Sequence, residues 1–127
     1  MSVSILIIDD DSAIRELLKL LLSDEGYEIV EIENLSGIEP ILTVKPDLII
    51  LDMKMPKISG AELSQMLKNH PQTRSIPLLG LSGSSEREAM SLHCNAFVSK
   101  PFDVDNLLEQ IQLLLEPNPS RLGMLAG

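Results

Sequence analysis

Five positions combine a reactive side chain with the abrupt end of an apolar run. Asp9 and Asp10 follow the run over residues 3–8, Asp52 follows Leu48, Ile49, Ile50 and Leu51, Ser82 follows residues 77–81, and Lys100 follows residues 96–99. If these positions converge, two or three carboxylates face one lysine and one hydroxyl across a small cleft. Carboxylates that close raise one another's pKa unless a cation intervenes. Lys100 would neutralise one of them. A hard divalent cation, Mg2+ by preference, would satisfy the others through a couple of carboxylates, a backbone carbonyl and water. Such a site suits phosphoryl transfer to an aspartate, with Asp52 attacking in line to give an acyl phosphate and Ser82 donating to a phosphoryl oxygen. Each residue also has a plainer explanation. Asp9, Asp10 and Asp11, Asp52 and Ser82 could cap turns and helices, and Lys100 could be solvated. Chance explains one such coincidence more readily than five at strand ends.

The elements that must position these residues follow from hydrophobic pattern. Short branched runs at 3–8, 48–51, 77–82 and 96–99 read as strands buried on both faces, and 28–33, with interspersed acids, reads as an edge strand. Ser12 is a suitable N-cap for a first helix whose apolar face is Ile14, Leu17, Leu18 and Leu21, and Gly26 is placed to end it. A short second helix starts near Pro40 and ends before Pro46. Ser59 and Glu62 form a capping box for a third helix with Leu63, Met66 and Leu67 inward, closed by His70 and Pro71. A short helix is expected from Ser84 to about Leu92. Asp103 caps a last helix with Leu107, Leu108, Ile111, Leu114 and Leu115 on one stripe, stopped by Pro117. Strand and helix alternate throughout. The expected fold is therefore α/β, a doubly wound five-stranded parallel sheet covered on both faces, with right-handed crossovers placing every carboxyl end on one edge. Ligands bind at that edge in open sheets of this kind.

Composition narrows the class. A length of 127 residues suits one domain, and 44% hydrophobic with 23% charged residues is globular. No apolar run approaches a membrane span, and Met1, Ser2 and Val3 run into a strand pattern and not into a signal-like core, so a cytoplasmic protein is expected. The single cysteine, Cys94, rules out an internal disulfide and reads as a small buried apolar residue. A net charge of −9, no Trp, one Tyr and two Phe argue against direct nucleic-acid binding. His70 and His93 lack a helical phosphotransfer context and read as surface or capping residues.

Several motifs together make the sequence resemble the response-regulator receiver domain, the CheY-like family of two-component signalling. The likeness covers residues 3–115. Ile7-Ile8-Asp9-Asp10-Asp11-Ser12 is similar to the family's acidic pair, which implies Asp10 as a direct metal ligand and Asp9 as its water-mediated neighbour. Leu51-Asp52-Met53-Lys54-Met55-Pro56, with Gly60 beyond it, resembles the phosphoacceptor segment and implies phosphorylation of Asp52 and a Lys54 backbone carbonyl on the metal. Residues 76–83 resemble the segment carrying the switch hydroxyl, here Ser82. Phe97-Val98-Ser99-Lys100-Pro101-Phe102 resembles the switch aromatic followed by the phosphoryl-binding lysine, and the Lys100–Pro101 peptide is often cis in such domains. Lys54 and Ser84 stand at positions that influence how water reaches the phosphoryl group. The resemblance further implies strand order 2-1-3-4-5 in a flavodoxin or CheY-like three-layer sandwich. It implies a receiver domain over 1–116 and a tail or linker over 117–127. The partners implied are a sensor histidine kinase or histidine phosphotransfer protein, a downstream effector protein, and in some modes a homodimer. It makes the chain a switch and not an enzyme, although one that supports its own Mg2+-dependent phosphorylation and autodephosphorylation.

Departures from the family fall on the usual output face. Phe97 lacks the phenolic hydroxyl of a tyrosine, the span from Ser82 to Lys100 is about one helical turn short, and His93 stands where glycine commonly ends a helix. Two other functions compete. An aspartate-nucleophile phosphatase would use Asp9 as nucleophile and Asp11 as acid, but leaves Asp52 unexplained. A phosphorylation-independent interaction module would keep only the fold.

Overall fold

The computed structural model describes residues 2–33, 35, 37–52, 58–82 and 93–116. The apolar runs form strands β1 (Ser4–Ile8), β2 (Glu28–Ile32), β3 (Leu48–Asp52), β4 (Leu78–Ser82) and β5 (Ala96–Ser99), all parallel, in the order β2-β1-β3-β4-β5. Side chains alternate across each strand, so each run feeds two cores. Leu6, Ile8, Ile49, Leu51 and Leu78 pack on one face against helices α2 (Glu39–Val44) and α3 (Gly60–Asn69). Ile5, Ile7, Leu48, Ile50, Leu79 and Leu81 pack on the other against α1 (Ser12–Asp24) and α4 (Val104–Leu115). The expected doubly wound sheet, its strand order and its edge strand β2 are all observed.

Local signals differ from the sequence expectation in a few places. The N-cap of α1 is Asp11, not Ser12, its carboxylate accepting from the Ala13 and Ile14 amides. Ser12 is the first helical residue, because a carboxylate one position earlier already satisfies the free amides. Leu18 and Leu22 are the fully buried residues of α1, whereas Leu17 is 42% exposed. Met66 likewise lies on the outer margin of α3 at 38% exposure, although Leu63 and Leu67 are buried as expected. Helical spacing gives the direction of an apolar stripe but not its width. Cys94 is half-buried, not fully buried.

The remaining boundaries are close to those expected. Ser59 caps α3, its hydroxyl accepting from the Glu62 amide at 3.1 Å and donating to Glu62 Oε1 at 3.1 Å, so the expected capping pair meets through side chains. Gly26 sits at φ +92°, in the left-handed region that ends α1. Pro40 lies in the first turn of α2, which ends at a left-handed Lys45, φ +52°. His70 is the C-cap residue of α3, its Nδ1 accepting from the Gln72 amide. The helix expected over 84–92, with Ser84, the residues Lys54 and Pro56, and the expected tail over 117–127 lie outside the described residues.

Candidate functional site

Register decides which strand ends meet. Ile8 of β1 is level with Leu51 of β3, so the next residues, Asp9 and Asp52, emerge side by side from the two central strands. Asp52 is in turn level with Leu81, and Ser82 with Ser99, which brings Lys100 to the same edge one residue beyond β5. The topology thus gathers residues far apart in sequence.

Asp9 is fully buried and Asp52 only 5% exposed, while Asp10 faces solvent. One carboxylate oxygen from each of the three lies within 4.8 Å of the others. Lys100 Nζ donates to Asp52 Oδ1 at 2.9 Å and to Asp9 Oδ2 at 3.2 Å. Asp9 Oδ1 accepts from the Asp11 amide at 2.8 Å, which turns the chain so that Asp10 projects outward between two anchored neighbours. Asp11 itself is committed to the α1 cap, and its amide to Asp9.

The lysine is held as a cation. Burial alone would lower its pKa, but hydrogen bonding to Asp52 and the charges of Asp52 and Asp9 outweigh that cost, so the net shift is upward. Three carboxylates and one ammonium leave these four side chains with a net charge of −2. That donor set, all hard oxygen with a double negative charge, fits a divalent cation such as Mg2+. It fits soft metals poorly.

Of the expected site residues, the structure gathers Asp9, Asp10, Asp52 and Lys100, with Ser82 ending the neighbouring strand. The Lys100–Pro101 peptide is cis, as expected. Phe97 lies on β5, half-buried and packed against the α2 and α3 core. Arg15 escaped the sequence reading. Its Nη1 donates to the Asp9 carbonyl at 2.7 Å, and its Nε lies 3.7 Å from Glu31 Oε1. An arginine four positions into an amphipathic helix carries no local sign of such a role. The phosphatase reading loses support here, because Asp11, which it needs as the acid, is spent on the α1 cap, accepting from the Ala13 and Ile14 amides.

A doubly wound sheet in this order, with clustered acids and a lysine at its carboxyl edge, defines the response-regulator class of fold. The family model for the response regulator receiver domain matches residues 5–112, and the chain belongs to that family. It is 33% identical over 117 residues to the phosphate regulon transcriptional regulatory protein PhoB of Pseudomonas aeruginosa, covering 88% of this chain and 51% of that protein. Against the polar-differentiation response regulator DivK of Brucella anthropi it is 31% identical over 118 residues, covering 88% of this chain and 95% of that protein. A response regulator structure from Chloroflexus aurantiacus superposes with a TM-score of 0.80 at 29% identity, covering 91% of this chain and 98% of that one. The chain therefore spans about half of PhoB, a transcriptional regulator, but nearly the whole of DivK. It is a receiver domain of the two-component response-regulator type, and no helix among the described residues is long and apolar enough to cross a membrane.

Proposed function

We propose that the chain is a phosphorylation-controlled switch in which Asp52 takes a phosphoryl group from a phosphohistidine of a sensor histidine kinase or histidine phosphotransfer protein. The observation that carries this reading is the pairing of Asp52 with Lys100 Nζ at 2.9 Å inside a cluster that also holds Asp9 and Asp10. Asp9, Asp10 and Asp52, with the Lys54 backbone carbonyl, would hold Mg2+, which when bound supplies positive charge next to the phosphoryl oxygens.

In the transfer, a carboxylate oxygen of Asp52 attacks phosphorus in line. The new P–O bond forms as the P–N bond to the imidazole breaks, and the electron pair leaves with the imidazole nitrogen, which takes up a proton. Lys100, kept protonated by its two carboxylate partners, offsets charge on the transferred group. Ser82 donates its hydroxyl to a phosphoryl oxygen. Ser82 and Phe97 then bias a two-state equilibrium of the face built from β5, α4 and the helix expected over 84–92. Lys54 and Ser84 set the lifetime of the acyl phosphate by governing the approach of water, so the domain dephosphorylates itself. Output is by docking to an effector protein or a second copy of the chain, with residues 1–116 as the receiver and 117–127 as tail or linker. The same reading assigns the chain to the cytoplasm.

The test is incubation with a small phosphodonor and Mg2+, read by intact mass. One phosphate is expected, lost in Asp52→Asn and on chelation of the cation. Phosphate on another residue overturns the assignment. Unchanged partner affinity with and without phosphate would favour the phosphorylation-independent module.

A further inference from the structure

Asp10 is exposed and contributes to the site only if the short turn from Asp9 to Asp11 holds it in place. Four contacts fix that turn. The Asp11 amide donates to Asp9 Oδ1, the Asp11 carboxylate caps α1, and the Arg15 amide donates to the Asp11 carbonyl at 3.1 Å. The fourth is the Arg15 side chain, whose Nη1 donates to the Asp9 carbonyl at 2.7 Å. The same guanidinium reaches Glu31 on β2, a residue level with Ile7 of β1, and Lys19 Nζ lies 3.5 Å from the other Glu31 oxygen. The Arg15 side chain is only 15% exposed. A planar fork in that position ties the backbone behind the acidic pair to the neighbouring strand.

We propose that Arg15 is a positioning residue for the cation site, acting through the Asp9 carbonyl and braced by Glu31. The inference rests on the reading of Asp9, Asp10 and Asp52 as cation ligands and adds a residue to it. Its sign separates it from simple electrostatics. Arg15 is itself a cation near a cation site, so removing its charge should tighten divalent binding if charge alone mattered. Loss of a positioning contact behind a ligand should weaken it, commonly by tenfold or more.

The experiment is a titration of the full chain with Mn2+, read by the loss of free-ion electron paramagnetic resonance signal, for wild type, Asp10→Asn, Arg15→Met and Arg15→Lys. Binding to the wild type that Asp10→Asn abolishes upholds the site. Arg15→Met is then expected to raise the Kd about tenfold, and Arg15→Lys, which keeps the charge but loses the fork, to raise it too. Lys68→Met, a substitution at the far end of the sheet, controls for general loss of stability and is expected to leave the Kd unchanged. Should Arg15→Met fail to fold, Arg15→Lys is read alone, since it keeps the charge and a raised Kd there reports only the lost fork. An unchanged or lowered Kd in the Arg15 variants overturns the role of Arg15 alone. Absence of binding to the wild type overturns both readings.

Discussion

Two lysines are drawn into polar clusters at opposite ends of the sheet, and their environments push them in opposite directions. Lys100, at the carboxyl edge, meets two carboxylates, and its pKa rises. Lys68, near the end of α3, donates to the Arg74 carbonyl at 3.2 Å, the Ile76 carbonyl at 3.0 Å and Asn95 Oδ1 at 3.2 Å. Its partners are neutral dipoles, and burial lowers its pKa. Asn95 Oδ1 also accepts from the Leu78 amide, so this second cluster pins the starts of β4 and β5. The contrast separates two uses of one residue type. At the amino edge a lysine serves as a multiple donor that ties loops together. At the carboxyl edge it serves as a charge that makes a crowded set of acids tolerable.

The largest expected effect comes from removing the charge where it has charged partners. Lys100→Met leaves Asp9 and Asp52 buried side by side without their ammonium. Truncating one partner of a buried ion pair is costly, and discounting for the partial exposure of Lys100 gives a loss of roughly 2 kcal/mol at pH 7. Urea denaturation in the presence of a chelator measures it. Lys68→Met should cost less, about 1 kcal/mol, because three neutral acceptors lose a shared donor and water can replace part of it. A larger loss in Lys68→Met than in Lys100→Met would break the comparison.

The smallest effect is the most discriminating. The raised pKa of Lys100 means that the folded state holds its proton more tightly than the unfolded chain. Its stabilisation is complete below the ordinary lysine value of 10.5 and is lost as pH rises through the higher folded value. The lowered pKa of Lys68 acts the other way, since the folded state releases that proton first and stability recovers as pH climbs from the lowered value towards 10.5. Denaturation midpoints between pH 9 and 11 should therefore fall less steeply in Lys100→Met and more steeply in Lys68→Met than in wild type. Identical slopes in the two variants would show that the environments do not differ as described. Cys94, whose thiol is pushed up to about 12 by burial against the pull of Lys68, adds a downward slope to all three proteins, and losing Lys68 pushes it further up, in the direction that keeps the ranking.

The same contrast explains what could be read in the sequence. Strands β1, β3 and β4 declare themselves as unbroken apolar runs, and the carboxyl-edge residues stand out because a charged or hydroxyl side chain ends each run. The Ser59 and Glu62 cap is legible for a similar reason, because both partners lie within four residues. The Lys68, Asn95 and Thr73 contacts were not legible, although Thr73 is buried with its hydroxyl donating to the Leu67 carbonyl at 2.6 Å. Their acceptors are mostly backbone carbonyls, which every residue possesses. Arg15 was missed on the same ground, as its closest partner is the Asp9 carbonyl. Helix margins failed differently. Leu17 and Met66 obey the helical period but sit at the edge of the stripe, where neighbouring elements and not spacing decide exposure.

The pairing of Lys100 with Asp52 and Asp9 spans 48 and 91 residues of sequence. Contacts of that separation close large loops and are assembled late, after local helices and adjacent strands have formed. During synthesis Asp9 and Asp52 leave the ribosome before Lys100, so a chain interrupted before β5 carries the acids without the ammonium.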